Sequence, residues 1–355
     1  MQPLRFGILG AARIARKNWL AIHHSGNAVV TAVASRELAR AERFIAEQQA
    51  VAPFAVTPRA FDSYEALLAD PAVDAVYVPL PTGLRKSWVI RAAELGKHVV
   101  CEKPCAVNTA ELRELLAACE RNRVQFMDGV MFMHNPRLQK LRELLRDEER
   151  IGPLRRITSV FSFLGPDDFA ARNIRAQSAL EPTGCLGDLG WYCLRIALWT
   201  MDWQLPSHVS GRTLLDVEGR FNGPGLPLDF SGELFFPGGV SSGFHCSFLA
   251  SYQQWATISG AKGCVRVPDF VNPSALNPVA WEVNFTPVTK VEAGLYLGTE
   301  TTPESQETLQ FRNFVAQVRS GQLNHDWPEI ALKTQRVMDA CLRSALQGGA
   351  LVEVA

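Results

Sequence analysis

Several features that would place a chain in a particular class of protein are missing here. The 36 basic and 36 acidic residues cancel to a formal net charge of zero, so no charge excess indicates binding to nucleic acid or to an anionic membrane surface. No window approaches the roughly 18 uninterrupted apolar residues that a membrane span needs. An apolar segment that is predicted to be a buried strand already occurs at Leu4–Leu9. From these observations together we expect a cytosolic protein that binds neither nucleic acid nor membrane.

The eight cysteines and seven histidines lack the spacing of metal ligands. No Cys-x-x-Cys pair occurs, and the cysteines lie among apolar neighbours, which is typical of reduced core residues rather than of a disulfide framework. His23 and His24 are adjacent in the sequence and therefore point to different faces of a helix. We predict that the protein holds no metal ion.

The composition that is present suits a soluble two-domain chain. Of the 355 residues, 47% are apolar and 20% are charged, which is ordinary for globular protein. Strand and helix patterns alternate through Phe126, and this alternation favours a parallel sheet with right-handed crossovers. We therefore expect an α/β fold, with a doubly wound parallel sheet in residues 1–128 and an α+β domain with an open, mainly antiparallel sheet in residues 129–355.

The second half carries short alternating or aromatic-rich runs separated by Gly and Pro turns, which predict antiparallel strands. These predicted strands are Arg156–Phe163, Leu228–Phe236, Val240–Phe248, Trp255–Gly260, Cys264–Val267 and Trp281–Phe285. Helices are predicted over Gln306–Arg319 and Glu329–Gln347. Two Gly- or Pro-containing loops, Gly219–Pro227 and Gly298–Glu304, are expected to be mobile.

The first predicted strand runs into a hexad in the register of the dinucleotide-binding Gly-x-Gly-x-x-Gly motif, with alanine at two glycine positions. The hexad consists of Gly10, Ala11, Ala12, Arg13, Ile14 and Ala15. Its small residues let the backbone approach a pyrophosphate at the N-terminus of the following helix, where free amides and the helix dipole favour anions. The pattern predicts a Rossmann-type nucleotide site.

The end of the second strand indicates which dinucleotide is preferred. Ser35 and Arg36 stand where a carboxylate would hold the adenosine ribose of NAD. A 2′-phosphate would repel a carboxylate, but it accepts hydrogen bonds from a hydroxyl and from a guanidinium. The sequence therefore favours NADP. Arg40, one turn further on, is either a second phosphate ligand or a solvated residue of the helix surface.

Two further segments carry candidates for proton transfer. The strand Val99–Cys101 delivers Lys103 to the edge where doubly wound sheets hold ligands, although a lysine at a strand end is also commonly just solvated. In the segment Gly187–Tyr192, Asp188 and Tyr192 share one face if the segment is helical. A lysine cation beside a tyrosine lowers the tyrosine pKa from about 10. The alternative is that Tyr192 is a core residue and Asp188 a helix cap.

Taken together, these motifs resemble the glucose-fructose oxidoreductase, inositol dehydrogenase and MocA superfamily, in the branch with D-xylose dehydrogenase and dimeric dihydrodiol dehydrogenase. The segments Gly7–Lys17, Ala34–Arg36, Glu102–Pro104 and Gly187–Tyr192 occur in the family's order. The resemblance implies that Lys103 and Tyr192 are the catalytic pair, supported by Asp188. Further cofactor contacts are implied for Pro79, Leu80, Pro81, Thr82, Glu102 and Lys103, and substrate contacts for Lys103, His134, Asn135, Arg137, Asp188 and Tyr192.

The function that this resemblance implies is hydride transfer between NADP(H) and a hydroxyl-bearing carbon of a sugar or cyclic polyol, by a homodimer or a dimer-based oligomer. The alternatives are a trans-dihydrodiol dehydrogenase, a carbonyl reductase, and a binding protein that senses NADP without turnover. Two positions depart from the family pattern. Ala12 replaces the second glycine, and Arg85 stands where a histidine is often found; the arginine either changes a contact near the nicotinamide or lies on a helix surface.

Overall fold

The β-α alternation produces a six-stranded parallel sheet in the computed structural model, which describes residues 2–273, 279–285, 288–295 and 305–354. Its strands are β1 (Leu4–Leu9), β2 (Ala28–Ala34), β3 (Arg59–Phe61), β4 (Ala75–Val78), β5 (His98–Cys101) and β6 (Phe126–Asp128). They lie in the order β3-β2-β1-β4-β5-β6. This order reverses direction beside β1, and doubly wound sheets bind ligands at such a point.

Five helices follow the strands of this sheet. They are α1 (Arg13–Ser25), α2 (Leu38–Val51), α3 (Tyr64–Leu68), α4 (Thr82–Glu94) and α5 (Thr109–Arg121). Helix α1 ends at Gly26, whose φ of 73° is the left-handed conformation typical of a residue that terminates a helix. Apart from the edge strand β3, which has no buried residue, the strands are mostly buried, since helices cover both faces of a parallel sheet.

A nine-stranded mixed sheet forms the second half. Its strands are β7 (Leu154–Leu164), β8 (His208–Asp216), β9 (Pro227–Phe235), β10 (Ser241–Ser247), β11 (Leu249–Gly260), β12 (Gly263–Val267), β13 (Val279–Phe285), β14 (Val288–Leu295) and β15 (Val352–Glu353). The order is β14-β13-β12-β11-β7-β10-β9-β8-β15. The α/β fold with a mainly antiparallel second sheet is thus confirmed, with one correction: β7 and β10 pair in parallel. Strands β8, β14 and β15 were not predicted.

The remaining helices surround this sheet or return to the first one. They are α6 (Arg137–Leu145), α7 (Phe169–Arg172), α8 (Trp191–Thr200), α9 (Gln306–Arg319) and α10 (Asp326–Leu346), with a π-helical turn at Leu186–Gly190 and short 3-10 turns at Met131–His134, Ile174–Ala176 and Pro237–Gly239. Helix α9 has the predicted bounds. The described helices include none that is long and apolar enough to cross a membrane.

The chain divides into two compact units. The first comprises residues 1–106, 110–135 and 297–331, and the second comprises residues 107–109, 136–296 and 332–355. Helix α9 belongs to the first unit, where Phe311 meets Phe6 edge to face with ring centroids 5.6 Å apart. The domain boundary predicted after residue 128 assigns α9 to the second domain, whereas the structure places it in the first unit. The predicted loop Gly298–Glu304 lies outside the described residues.

All eight cysteines are free thiols, and seven of them are buried. Burial raises the pKa of Cys119 to about 12, and the same desolvation raises the pKa of Cys105. Thiols held in this protonated form are poor nucleophiles and poor metal ligands. Among the residues that the structure describes, no group of three or more His, Cys, Asp or Glu side chains is placed to hold a metal ion.

Candidate active site

The turn between β1 and α1 is shaped for close approach by a ligand. Gly10 has a φ of +109°, a conformation that side-chain-bearing residues rarely adopt, and an added Cβ would lie 3.3 Å from Leu80 Cδ2. Ala12 is the N-cap residue of α1 and makes no side-chain cap, because alanine carries no hydrogen-bonding group. The amides of the first helical turn, which begins at Arg13, are therefore suited to bind an external anion.

Three polar or charged residues follow β2, which ends beside that turn, since the Gly10 amide donates to the Ala34 carbonyl at 2.8 Å. Ser35 is buried, whereas Arg36 and Arg40 are exposed. The Arg40 guanidinium donates to the Ala11 carbonyl at 3.4 Å, which places this cation beside the glycine turn. The two cationic residues predicted to bind a 2′-phosphate therefore lie on the nucleotide side of the sheet.

Tyr64, at the start of α3, joins this group and was not predicted. Its hydroxyl lies 3.7 Å from the position that a Cβ on Gly10 would occupy, and its ring packs edge to face on Trp88 with centroids 5.0 Å apart. Partial burial raises the pKa of Tyr64, while Arg36 and Arg40 oppose that rise. The neutral hydroxyl is therefore available as a hydrogen-bond donor among these cations. The local signal at this position is that Tyr64 directly follows Ser63, whose side chain caps the helix by accepting from the Ala66 amide; this signal predicts a helix start and not a ligand contact.

The segments after β4 and β5 contain the other residues predicted to contact the cofactor. Pro79, Leu80 and Thr82 are buried, and Pro81 is half-buried. Arg85 lies beneath them: its Nε donates to the Leu80 carbonyl at 2.7 Å, and its Nη1 donates to the Thr82 hydroxyl at 3.0 Å and to the Pro104 carbonyl. Of the two alternatives for Arg85, the helix surface is therefore excluded.

Glu102 and Lys103 follow β5 and are half-buried. A buried polar network supports Glu102. The Tyr77 hydroxyl donates to Glu102 Oε1 at 2.7 Å, and the Asn18 amide donates to the same oxygen at 3.4 Å and to the Tyr77 hydroxyl. Burial and the adjacent Glu102 carboxylate raise the pKa of Tyr77 well above its usual value, so this tyrosine is a fixed donor. Lys103 thus follows a residue whose side chain is held rigidly.

In the second unit, the segment Gly187–Tyr192 is helical, as the shared face of Asp188 and Tyr192 requires. It begins as the π-helical turn and continues as α8. Gly190 allows this helix to approach β10, because an added Cβ would lie 2.8 Å from Leu186 Cδ1 and 3.1 Å from Cys246 Sγ. Tyr192 is buried and packs edge to face on Phe161 with ring centroids 5.5 Å apart.

Arg175 completes this cluster and was not predicted. Its Nε lies 2.7 Å from Asp188 Oδ2. Asp188, and to a smaller extent Tyr192, raises the pKa of Arg175, which places the cation within electrostatic reach of both residues. Asp188 lies inside the π-helical turn, whose N-cap residue is Cys185, so the alternative that Asp188 is a helix cap is wrong. The exposed stretch that carries Arg175 has no sequence pattern that links it to a segment 13 positions later.

The remaining predicted substrate ligands are dispersed over the two units. In the first unit, His134 Nδ1 lies 3.1 Å from the Asn313 amide, and the buried Asn135 donates to Gln306 Oε1 at 3.3 Å. In the second unit, Arg137 is 1% exposed and pairs with Asp269 at 2.6 Å. Arg137 is therefore held within its own unit by a buried ion pair, and substrate contact by these three residues stays a prediction.

Comparison with known proteins matches both halves of the chain to one family. Residues 4–130 match the oxidoreductase family with the NAD-binding Rossmann fold. Residues 138–266 match the GFO/IDH/MocA C-terminal domain. The two matches together span more than half of the chain, and they agree with the family to which the sequence motifs are similar.

Several individual proteins are similar over most of the chain. A D-xylose 1-dehydrogenase (NADP(+)) of Haloferax volcanii is 30% identical, covering 98% of this chain and 99% of its own. A trans-1,2-dihydrobenzene-1,2-diol dehydrogenase of Mus musculus is 33% identical over 77% of each chain. A 3-ketoreductase from Actinomadura kijaniata, solved with NADP and TDP-benzene, has a TM-score of 0.82 at 25% identity and 98% coverage of both chains.

Proposed function

The chain belongs to the GFO/IDH/MocA family of NAD(P)-dependent oxidoreductases, and from this premise we propose that it transfers a hydride between NADP(H) and a hydroxyl-bearing carbon of a sugar or related cyclic polyol. The observation that carries the proposal is the pairing of an uncapped α1 N-terminus with the cations Arg36 and Arg40. That pairing suits a pyrophosphate and a 2′-phosphate together. The NADP-dependent relative of Haloferax volcanii supports the same cofactor.

The residues present fit this dinucleotide. Gly10 leaves a space that a Cβ would fill, and the amides from Arg13 onward would hold the pyrophosphate. Ser35, Arg36 and Tyr64 would hold the 2′-phosphate, and the loop Pro79–Thr82 would contact the nicotinamide end. The bound cofactor supplies the hydride acceptor or donor, and the protein supplies binding, orientation and proton transfer.

We assign the proton transfer to Tyr192 and Lys103. In the oxidative direction Tyr192 acts as the phenolate, and its oxygen accepts the proton of the substrate hydroxyl to become the neutral phenol. The Lys103 ammonium donates a hydrogen bond to the substrate oxygen and stabilises the developing negative charge. Arg175 holds the Asp188 carboxylate in place by an ion pair. The oriented carboxylate of Asp188 then positions the substrate or Tyr192. Phe161 fixes the Tyr192 ring from one side, which limits the directions in which its hydroxyl can move.

The experiment that tests this proposal is an assay of the protein with NADP against a panel of pentoses, hexoses and cyclic diols. Turnover is measured as the change in nicotinamide absorbance. We expect turnover of a pentose or hexose.

Tyr192→Phe should lower kcat by roughly 10²-fold or more with NADP affinity nearly intact, because only the proton carrier is removed. Lys103→Met should be similarly damaging and should raise the apparent pKa of the oxidative rate. Near-normal turnover by Tyr192→Phe would refute the assignment.

A second candidate function is a trans-dihydrodiol dehydrogenase, which the 33% identity to the Mus musculus enzyme favours. Turnover of cyclic trans-diols, with sugars inert, would establish it. Reduction of ketones in preference to oxidation of any alcohol on the panel would indicate a carbonyl reductase. Tight binding of NADP without turnover of any panel member would indicate the remaining alternative, a binding protein that senses NADP.

A further inference from the structure

Arg85 is a buried arginine to which the proposed hydride transfer assigns no part. It is 5% exposed and lies in α4, directly after the loop predicted to contact the nicotinamide. Burying a guanidinium is costly unless its donors are satisfied. Here three oxygens accept from it: the Leu80 carbonyl at 2.7 Å, the Thr82 hydroxyl at 3.0 Å and the Pro104 carbonyl.

These three acceptors come from two different loops. Leu80 and Thr82 follow β4, whereas Pro104 follows β5, and β4 and β5 are neighbours in the parallel sheet. The last backbone hydrogen bond between the two segments joins the Glu102 amide to the Val78 carbonyl at 3.2 Å. Beyond it, the chains leave the sheet. Arg85 therefore connects the two loops beyond the last backbone hydrogen bond between β4 and β5.

We infer that Arg85 is a positioning residue for Lys103. It holds the carbonyl of Pro104, the residue after Lys103, at a set distance from the loop that carries Leu80 and Thr82. The guanidinium is planar and its donors diverge in a fixed fork, so fixing three acceptors also fixes the separation and the relative orientation of the two loops. This inference rests on the proposed catalytic role of Lys103.

The chemistry of the side chain explains why another cation would serve less well. A lysine at position 85 keeps the charge, but its donors share one nitrogen and rotate about one bond. It cannot hold the Leu80 and Pro104 carbonyls in the divergent directions that Nε and Nη1 serve here. Glutamine has a shorter side chain and a single donating nitrogen. Both substitutions should release at least one loop, and glutamine should release more.

The first test is hydrogen exchange on the whole protein without cofactor. We compare Arg85→Gln and Arg85→Lys with Arg91→Ala, a matched control on the same helix whose guanidinium pairs at the surface with Glu65. Arg85→Gln should speed exchange at least tenfold in the peptides that cover residues 80–84 and 102–106, and the control should leave both unchanged. Exchange that stays slow in residues 80–84 or in residues 102–106, or that rises only in the part of α4 after residue 85, would overturn the inference.

The second test asks whether Arg85 acts through Lys103. With the best sugar of the panel as substrate, Arg85→Gln should lower kcat about tenfold in the native protein and less than twofold in the Lys103→Met background, since residues that act as a unit are not additive. Arg85→Lys should lower kcat less than Arg85→Gln does. If Arg85→Gln does not fold, the same comparison of the two backgrounds is made with Arg85→Lys. An equal fold-loss of kcat in both backgrounds would show that Arg85 does not act through Lys103, and it would refute the positioning role.

The two tests separate failure of the inference from failure of the proposed function. If Lys103→Met keeps native turnover, the assignment of Lys103 is wrong, and the positioning role falls with it. If Lys103→Met is impaired and Arg85→Gln keeps native kcat, the proposed function stands, and only the positioning role of Arg85 is refuted.

Discussion

Replacing Arg36 by alanine tests the cofactor preference most directly. Arg36 is exposed, whereas the neighbouring Ser35 is buried at the end of β2. Since water and salt weaken an exposed charge-assisted contact, we take the lower end of its range, about 1.4 kcal/mol, which corresponds to roughly tenfold in affinity. Arg36→Ala should therefore raise the dissociation constant of NADP about tenfold and leave that of NAD nearly unchanged.

The assay is calorimetric titration with NADP and with NAD at low and at high salt. The NADP preference should shrink as salt rises, because the Debye length falls from about 30 Å at 0.01 M to about 3 Å at 1 M. Arg43→Ala is the matched control, since Arg43 is an exposed arginine further along α2. An unchanged ratio of the two dissociation constants in Arg36→Ala, or an equal shift in Arg43→Ala, would refute the reasoning.

Three other predictions concern the network, the ion pair and the assembly. Tyr77→Phe removes a buried hydroxyl bonded to Glu102 and Asn18, so it should lower the free energy of unfolding by about 1–3 kcal/mol in chemical denaturation, and unchanged stability would contradict this. Arg175→Gln breaks the pair with Asp188 and should lower kcat/KM about tenfold with NADP affinity unchanged; an unaltered kcat/KM would count against it. We propose a homodimer or a dimer-based oligomer, for which light scattering should give about twice the 39.2 kDa mass of one chain or an even multiple of it, and a monomer would reject it.

Local sequence was sufficient for the parts of the fold whose signals are short-range. The apolar run Leu4–Leu9, the small residues that follow it and the β-α alternation all predict the first sheet. Helix α9 was predicted with its observed bounds, Gln306–Arg319. In the structure it begins at a local cap, since the Ser305 hydroxyl accepts from the Thr308 amide at 3.1 Å. These signals depend on residues within one or two turns of each other.

Tertiary contacts decided the parts that local patterns leave open. The parallel pairing of β7 with β10 joins residues 85 positions apart, such as Arg156 and Ser241, and nothing in either segment encodes the direction of its neighbour. Arg175 reaches Asp188 only because the chain folds back there. For Arg85, the sequence predicts a helical position but not its burial, since the acceptors that satisfy the guanidinium belong to Leu80 and Pro104 on adjacent loops. A buried charge is tolerated only where the fold supplies its partners, and partners distant in sequence are set by the fold as a whole.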